Sequence, residues 1–371
     1  MRGSMKDPKV KPWRDGFSKR ITSMGRQYLL VFILILSGFS GVPALADDSA
    51  VVLMYHRFGE DRYPETNIKL EQLEAQLELL KKESCSVVPL SKLLAALTNG
   101  ESLPPSAVVI TIDDAYRSIY EIAYPKLRQY GFPFTVFVAT DPVDNGLPAY
   151  MNWEQMREMA SSGASFANHG ASHLSMITRL EGESDDARIT RVLADVAKGR
   201  QRLSEELEPV PNVFAYPYGE YDSTIAAQLQ KMGYICFGQQ SGAVGPGSDR
   251  RVLPRFAIAE AYADIDEFRV KVKSLPMPVE ALTPWEPVVS DNRPEIDITL
   301  GETDARLGEL ACFVGGQGRV PVRWIEAGKR FAVGPQRPLG AGRQRVNCTV
   351  PRNDGRYLWF SHPWFVRAPG P

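Results

Sequence analysis

"VVITIDDAYRSIY", residues 108–120, joins an apolar run to two adjacent carboxylates, Asp113 and Asp114. The run VVITI is typical of a strand that is buried on both faces, as strands of parallel sheets are. Two neighbouring like charges repel unless a cation lies close to them, so the stretch predicts a metal ion or an arginine at this strand end. A single Asp here also suits a helix cap, and that alternative stays open for either residue taken alone.

Apolar segments of the same kind alternate with helical patterns up to about residue 260. Leu70, Leu73, Leu77 and Leu80 lie at helical spacing, and Ser91 is the expected N-cap of the next helix. Strand, helix and strand in alternation predict a parallel sheet, and about seven such units favour a closed or nearly closed barrel. The further strand candidates are VVLMY (51–55), FTVFVA (134–139), SFAN (165–168), NVFAY (212–216), YICFG (234–238) and RFAIA (255–259).

The pattern changes after residue 280. Short alternating runs such as DITL, VPVRWIE and KRFAVG are separated by Gly, Pro, Asn and Asp, which is typical of a small antiparallel sandwich. The predicted fold class is therefore α/β, a distorted (β/α)7-type barrel with a small C-terminal all-β sandwich domain. The predicted organisation is an N-terminal extension and signal peptide (1–46), a barrel (47–280) and a β-sandwich accessory domain (281–371).

Residues 24–46 resemble a secretory signal peptide, and residues 1–23 are a basic N-terminal extension before it. A basic residue, Arg26, precedes the apolar stretch at 29–36, and small residues lead to Ala44-Leu45-Ala46, an A-x-A cleavage site. The alternative is a transmembrane anchor, but the apolar run is well short of the roughly 20 residues that cross a bilayer. We expect cleavage near Ala46, a secreted or periplasmic protein and no stable membrane span in the mature chain.

Removal of residues 1–46 leaves 35 basic and 42 acidic residues, a formal net charge of −7. Nucleic acid is then an unfavourable partner, because phosphate binding needs a cationic surface.

Four cysteines permit three disulfide connectivities in an exported protein. Cys312 and Cys348 share the C-terminal segment and are the expected pair. Cys236, in the apolar "GYICFG", is expected to be a small buried residue.

The histidines extend the metal hypothesis. His169 and His173 stand four residues apart in "ANHGASHLS", directly after the strand candidate SFAN. Two imidazoles and one carboxylate form a three-ligand site with room for water. A histidine pair alone is weak evidence, but the pair together with the Asp-Asp strand end indicates a metal centre at the barrel mouth.

Three motifs together, "TIDDAY", "NHGASH" and "FAYPYGEYD", resemble those of the metal-dependent polysaccharide deacetylases, carbohydrate esterase family four. The resemblance covers residues 51–259 and implies that Asp113 is the general base. It implies that Asp114, His169 and His173 hold a divalent metal, zinc first and cobalt or nickel as alternatives. It also implies that the backbone amide of Tyr218 stabilises the oxyanion, with a plain turn at "YPYG" as the less favoured alternative.

The chain departs from the family in two places. Many members have an arginine before the P-Y motif that pairs with the base, and Ala215 stands there. Arg255 is the expected substitute, with a surface arginine or a salt bridge to one of the many other acids as the alternative. The late histidine that protonates the leaving amine is also missing between residues 264 and 278.

His56 is the expected replacement for that histidine. The opening "VVLMYHRFG" is similar to that of the exopolysaccharide poly-N-acetylglucosamine deacetylases, in which the strand order is permuted. His56 would then be the general acid; otherwise it is a strand-end histidine bonded to backbone. The expected partner is an acetylated polysaccharide, and the expected reaction removes acetyl groups by metal-activated water. The competing hypothesis is a non-catalytic glycan-binding protein of the same fold.

The C-terminal "WFSHPWF" holds His362 among aromatic residues. Aromatic rings such as Trp359 and Trp364 suit sugar stacking, but in a small sandwich they more often form the core.

Overall fold

The computed structural model describes residues 48–367. The expected signal peptide and its cleavage site at Ala46 lie outside the described residues. Within residues 48–367, no helix combines the length and the apolar character that a membrane crossing requires.

The barrel is built from one curved sheet whose main strands are parallel and appear in the order β10-β1-β5-β6-β7-β8-β9. Neighbouring strands end almost level, since Tyr55 lies opposite Ile112, and Asp113 lies opposite Phe137. Residues that directly follow these strands therefore meet at one edge of the sheet. The strands of this part of the chain are β1 Ala50–Tyr55, β2 Arg57–Phe58, β3 Asn67–Ile68, β4 Ser86–Val87, β5 Ala107–Asp113, β6 Phe134–Val138, β7 Ser165–Asn168, β8 Val213–Ala215, β9 Ile235–Phe237, β10 Ala243–Val244 and β11 Phe256–Ala257.

The barrel closes only partly. β11 pairs in parallel with β1, through Leu53 and Phe256, but β9 reaches the segment before β11 by a single bridge from Phe237 to Leu253. The strand expected at 255–259 is accordingly reduced to two residues. The nearly closed, distorted barrel that the sequence predicted is confirmed.

Helices pack on the outside of this sheet, and their starts follow local chemistry. Asn152 caps α5 by accepting a hydrogen bond from the Gln155 N–H. The Ser91 prediction is wrong, because α2 starts at Leu90 after Pro89, whose fixed φ suits the position before a first turn. The helices are α1 Leu70–Lys82, α2 Leu90–Asn99, α3 Tyr124–Tyr130, α4 Thr140–Asp144, α5 Trp153–Ser161, α6 Asp185–Glu206, α7 Ser223–Lys231 and α8 Ile265–Val272.

The apolar face of α1 differs from the prediction at one residue. Leu73, Leu77 and Leu80 are buried, whereas Leu70 opens the helix next to Gly59 and stays 40% exposed. Leu79 is buried in addition, because the helix is covered by α8 as well as by the sheet.

The C-terminal part consists of two sheets packed around a common apolar core, which confirms the predicted sandwich. One sheet has the order β12-β21-β20-β16-β17 with β14 beside β21, and the other has the order β13-β15-β19-β18. The strands are β12 Leu275–Pro276, β13 Val279–Thr283, β14 Val288–Val289, β15 Ile296–Leu300, β16 Ala311–Val314, β17 Gly318–Val320, β18 Arg323–Glu326, β19 Arg330–Val333, β20 Gly342–Pro351 and β21 Tyr357–Val366.

The expected disulfide forms inside this core. Cys312 of β16 lies directly opposite Cys348 of β20, and the two are bonded. Cys236 is a free, fully buried thiol in β9, as predicted.

The aromatic segment near the C-terminus is structural. Trp364 and Phe365 are buried, and Trp359 packs edge-on against Phe256 of the barrel. Burial lowers the pKa of His362 to about 3, so this histidine is a neutral core residue.

Helix α6 approaches the barrel unusually closely at one glycine. A Cβ on Gly199 would stand 2.6 Å from the carbonyl carbon and oxygen of Gly170 and 2.7 Å from Asn168 Oδ1. Backbone cannot move aside as a flexible side chain can, so only glycine allows α6 to lie this close to the loop after β7.

We predict that Gly199→Ala lowers the free energy of unfolding by about 1–3 kcal/mol, because the added methyl group overpacks the contact between helix and loop. Gly247→Ala is the matched control, since a Cβ at Gly247 meets nothing within 4 Å. Urea unfolding of the two variants measures the difference. Equal free energies of unfolding for the two variants would show that α6 can move away to accommodate the methyl group.

Candidate active site

The candidate site lies at the carboxyl edge of the barrel sheet. β5 ends at Asp113 and β7 at Asn168, so Asp114 and His169 begin the loops that follow these two strands. His173 belongs to the same loop as His169, and Tyr218 follows β8. The sheet therefore brings together residues that are far apart along the chain, in the place where parallel α/β folds carry their chemistry.

Asp114, His169 and His173 form a compact triad. Asp114 Oδ1 lies 3.3 Å from His169 Nε2 and 3.1 Å from His173 Nε2. One ligand atom from each of the three residues lies within 4.8 Å of the other two. The structure thus brings the three predicted ligands within reach of a single ion.

A backbone contact prepares His169 for this role. Its Nδ1 lies 2.7 Å from the carbonyl oxygen of Ala215, an acceptor, so Nδ1 carries the proton. The lone pair is then on Nε2, the atom that faces Asp114. Ala215, the residue where many family members have arginine, contributes its carbonyl oxygen instead of a side chain.

The surroundings of Asp114 fit a cation. Its Oδ1 is buried and forms no hydrogen bond of acceptable geometry within residues 48–367, although two imidazole nitrogens lie close by. An unpaired buried carboxylate oxygen is costly unless a positive charge compensates it. Two imidazole nitrogens and one carboxylate oxygen are a donor set that zinc and similar divalent ions accept, with positions left for water or substrate.

Asp113 is held by a different partner. Arg255 donates from its two terminal nitrogens to the two carboxylate oxygens, at 2.7 and 2.8 Å, and both side chains are fully buried. Arg255 also donates to the carbonyl oxygen of Gly238 and to Thr111 Oγ1. The arginine expected to replace the missing family arginine is therefore in place, and the surface-arginine alternative is wrong.

The charge of this arginine sets the state of Asp113. Burial alone would raise the pKa of Asp113, but the charge and hydrogen bonds of Arg255 outweigh it and hold the pKa below its ordinary value. Asp113 is therefore ionised at neutral pH. A carboxylate has about four acceptor positions, and Arg255 uses two of them, so the others remain able to accept a proton.

His56 follows β1 and approaches the same carboxylate. Its Nε2 lies 4.0 Å from Asp113 Oδ2. Burial lowers the pKa of His56, and this effect exceeds the opposite effects of Asp114 and Asp113. The imidazole is accordingly neutral near pH 7 and stands close to the atoms that the resemblance assigns to the base.

Tyr218 lies in a tight turn, 217–219, beside the triad. Its ring meets the ring of His173 edge-on, with 4.5 Å between the centroids, and the side chain is 48% exposed. The turn is closed by hydrogen bonds from Gly219 N–H to Tyr216 O and from Glu220 N–H to Pro217 O. Neither of these bonds uses the N–H of Tyr218.

Backbone strain is concentrated at this site. Among residues 48–367, six non-glycine residues have positive φ, and four of them lie in the loops of the site: Asp114, Ala115, His173 and Tyr218. Each such residue costs about 1–3 kcal/mol and persists only where its surroundings fix it.

Part of that fixing comes from α6, which the sequence analysis did not connect with the site. Asp195 accepts hydrogen bonds from the N–H groups of Ala171 and Ser172 and from the Ser172 hydroxyl. These residues lie between the two histidines. The available sequence signal was an acid beside the buried positions Val192 and Val196 of the helix.

An aromatic wall stands on the other side of the site. The Arg57 guanidinium lies 3.4 Å from the ring centre of Tyr116 and 4.0 Å from that of Tyr63. Tyr116 in turn packs against Tyr150, at 5.1 Å between centroids. Guanidinium and aromatic groups in such contact attract each other, so these contacts stabilise the wall.

Residues 100–237 match the family model described as polysaccharide deacetylase. The matched range contains Asp113, Asp114, both loop histidines and Tyr218, whereas His56 and Arg255 lie outside it.

Relatives that are similar in sequence agree with this match. The chain is 26% identical over 228 residues to a poly-beta-1,6-N-acetyl-D-glucosamine N-deacetylase of Escherichia coli strain K12, covering 52% of this chain and 34% of that protein. It is 25% identical over 235 residues to the Staphylococcus aureus strain MRSA252 protein of the same name, covering 58% and 80%. The chain thus spans about a third of the length of the first of these relatives.

The fold agrees as well. The structure of IcaB from Ammonifex degensii superposes with a TM-score of 0.52 at 27% identity, covering 59% of this chain and 96% of that one. The matched segment 100–237, the Asp-His-His triad and the shared barrel thus all agree with the polysaccharide deacetylase family.

Proposed function

We propose that the protein is an exported, metal-dependent hydrolase that removes acetyl groups from an N-acetylated polysaccharide containing N-acetylglucosamine. The proposal rests on the fact that the two adjacent carboxylates have different partners. Asp114 faces the imidazoles of His169 and His173, and Asp113 is bound by Arg255. A protein that only binds glycans needs no ionised carboxylate beside a ligand triad.

Asp114, His169 and His173 are the residues that would hold the ion. A divalent ion bound there supplies Lewis-acid polarisation of a carbonyl group and makes water more acidic. The ion is zinc in our proposal, with cobalt or nickel as substitutes, because two imidazoles and a carboxylate accept all three.

Asp113 acts as general base toward the attacking water. Arg255 holds the pKa of Asp113 low, so the carboxylate is ionised near neutral pH. Its free acceptor positions take the proton from water. Attack places negative charge on the former carbonyl oxygen. The Tyr218 N–H, which the turn leaves unused, donates to that oxygen.

His56 delivers a proton to the departing amine nitrogen. Because burial lowers its pKa, the ring is neutral at rest and receives a proton only during turnover. Asp113 lies 4.0 Å away, so the proton that it takes from water has a short path to the imidazole. Passage of that proton to nitrogen completes the cleavage of the C–N bond.

The substrate proposal rests on the relatives. Two proteins that match more than half of this chain are named as deacetylases of β-1,6-linked N-acetylglucosamine polymer.

The first test measures acetate release from β-1,6-linked poly-N-acetylglucosamine and from chito-oligosaccharides, with metal-stripped and zinc-reloaded protein. We expect release only from reloaded protein. Asp113→Asn should lower kcat at least about 100-fold while zinc content is unchanged, because the amide cannot accept the proton. His56→Ala should likewise keep zinc and lose turnover.

Asp266→Asn is the matched control, since the Asp266 side chain is 82% exposed on α8. Zinc and glycan binding without acetate release would support the glycan-binding alternative. Undiminished release by Asp113→Asn would refute the general-base assignment, and undiminished release by His56→Ala would refute the acid.

A second prediction concerns Arg255→Met. Without the guanidinium, burial dominates and raises the pKa of Asp113. A base works only when deprotonated, so the acidic limb of the kcat/KM profile should move to higher pH. Loss of one partner of a buried pair should also cost about 3–5 kcal/mol of stability.

Arg255→Lys should shift the limb less than Arg255→Met, because it retains a cation. Arg251→Met is the control from the same segment, where the arginine pairs with Asp249 away from the triad. The assignment fails if the Arg255→Met profile superimposes on that of the wild type in folded protein.

Export is proposed on the A-x-A sequence at 44–46 and on the buried Cys312–Cys348 disulfide, which is typical of proteins outside the reducing cytosol. The mass of protein recovered from the periplasm or the medium should correspond to a chain that begins near Asp47. Recovery only from the cytosol, with both thiols reduced, would contradict this.

A further inference from the structure

The segment 217–223, which contains Tyr218, connects β8 to α7 and lies against the C-terminal sheets. Three of its residues contact that part of the chain, namely Tyr218, Tyr221 and Ser223. None of the sequence motifs predicts these contacts, because the residues that make them lie between 285 and 365.

Arg343, near the start of β20, makes the contact closest to the site. Its guanidinium donates to the carbonyl oxygen of Tyr218 at 2.6 Å and also to the side-chain oxygen of Gln239. A charged donor to a carbonyl oxygen is among the stronger hydrogen bonds available to a surface residue.

That bond controls the orientation of one peptide group. The peptide between Tyr218 and Gly219 is held at its N–H by Tyr216 O and at its carbonyl oxygen by Arg343. Tyr218 has φ 57°, a conformation that needs fixing from outside, and the side chain of Gln239 occupies the space where a Cβ on Gly219 would stand. With this peptide fixed, the preceding one, which carries the Tyr218 N–H, has less freedom to rotate.

The neighbouring contacts hold the rest of the segment. Phe365 lies directly opposite Arg343 on β21, and it packs edge-on against Tyr221. Trp285 covers another side of the Tyr221 ring, at 5.7 Å between centroids. Glu286 accepts from the N–H of Ser223, at 3.1 Å, and from its hydroxyl group, at the start of α7.

We propose that the C-terminal β domain is part of the catalytic apparatus and that Arg343 is its positioning residue, fixing the turn that aims the Tyr218 N–H at the developing oxyanion. The inference rests on the proposed function for its chemistry. The claim that Arg343 immobilises the turn does not depend on the reaction, and it is measured without an activity assay.

The control residue is Arg345. It lies two positions further along β20 and therefore on the same face of the strand. Its guanidinium lies 5.8 Å from the ring of Tyr262. Arg345→Met removes the same charge from the same edge and leaves the bond to Tyr218 in place.

The experiment compares Arg343→Met, Arg343→Lys and Arg345→Met as full-length, zinc-loaded proteins. For Arg343→Met we expect kcat to fall about 10–100-fold with KM changed by no more than about twofold, since misplacement of an oxyanion donor affects the transition state alone. Arg343→Lys should recover part of the loss, because it keeps one donor. Arg345→Met should behave as wild type.

Hydrogen exchange gives the readout that does not depend on activity. The amides of Gly219 and Glu220 should exchange about tenfold faster in Arg343→Met, while amides of β16 and β20 stay protected. Unchanged exchange at both amides would overturn the inference even if the wild type is an active deacetylase. Faster exchange without any wild-type acetate release would uphold the positioning role and refute the proposed reaction.

A third outcome distinguishes attraction of substrate by the arginine charge from positioning of the turn by Arg343. If Arg343→Met and Arg345→Met lower kcat/KM equally through KM, the two arginines attract substrate and the positioning role is wrong.

Discussion

The buried ion pair between Arg255 and Asp113 is the interaction on which the rest of the site depends. Both side chains are fully inaccessible, and 142 residues separate them in sequence. An isolated carboxylate at this depth would protonate or would keep the barrel from closing over it. Because the arginine compensates its charge, the chain tolerates Asp113 beside Asp114 at the end of a strand that is buried at every residue.

The same pair divides the chemistry between two adjacent residues. Asp113 turns toward Arg255 and His56, and Asp114 turns toward the imidazoles. This division requires left-handed backbone at Asp114 and Ala115, which is strained for both. Strand β6 and the loop before α5 stabilise it through hydrogen bonds from Asp114 N–H to Phe137 O and from Met151 N–H to Ala115 O. The strained backbone at Asp114 and Ala115 and the buried ion pair of Asp113 therefore belong to the same local structure.

The sequence was informative where a residue's own neighbours determine its structure. Apolar runs located the strands to within one or two residues, and the Asp-Asp and His-x-x-x-His patterns located the triad. It failed at Ser91, because the N-cap is Pro89, two residues earlier, and at Leu70, which depends on what covers the first helical turn. Asp195 and Arg343 were not predicted, because their importance comes from contacts between α6 or β20 and loops more than 20 residues away.

The distance along the chain between the parts of the site also has a consequence for biosynthesis. His56 lies near the start of the described residues, Arg255 follows about 200 residues later, and Arg343 stands on a strand close to the end. Contacts of such long sequence separation form late in folding, because chain closure costs entropy before the contacts repay it. A nascent polypeptide that ends before Arg255 has the aspartates and histidines but not the guanidinium that neutralises Asp113, so the centre matures only when most of the translation product is available.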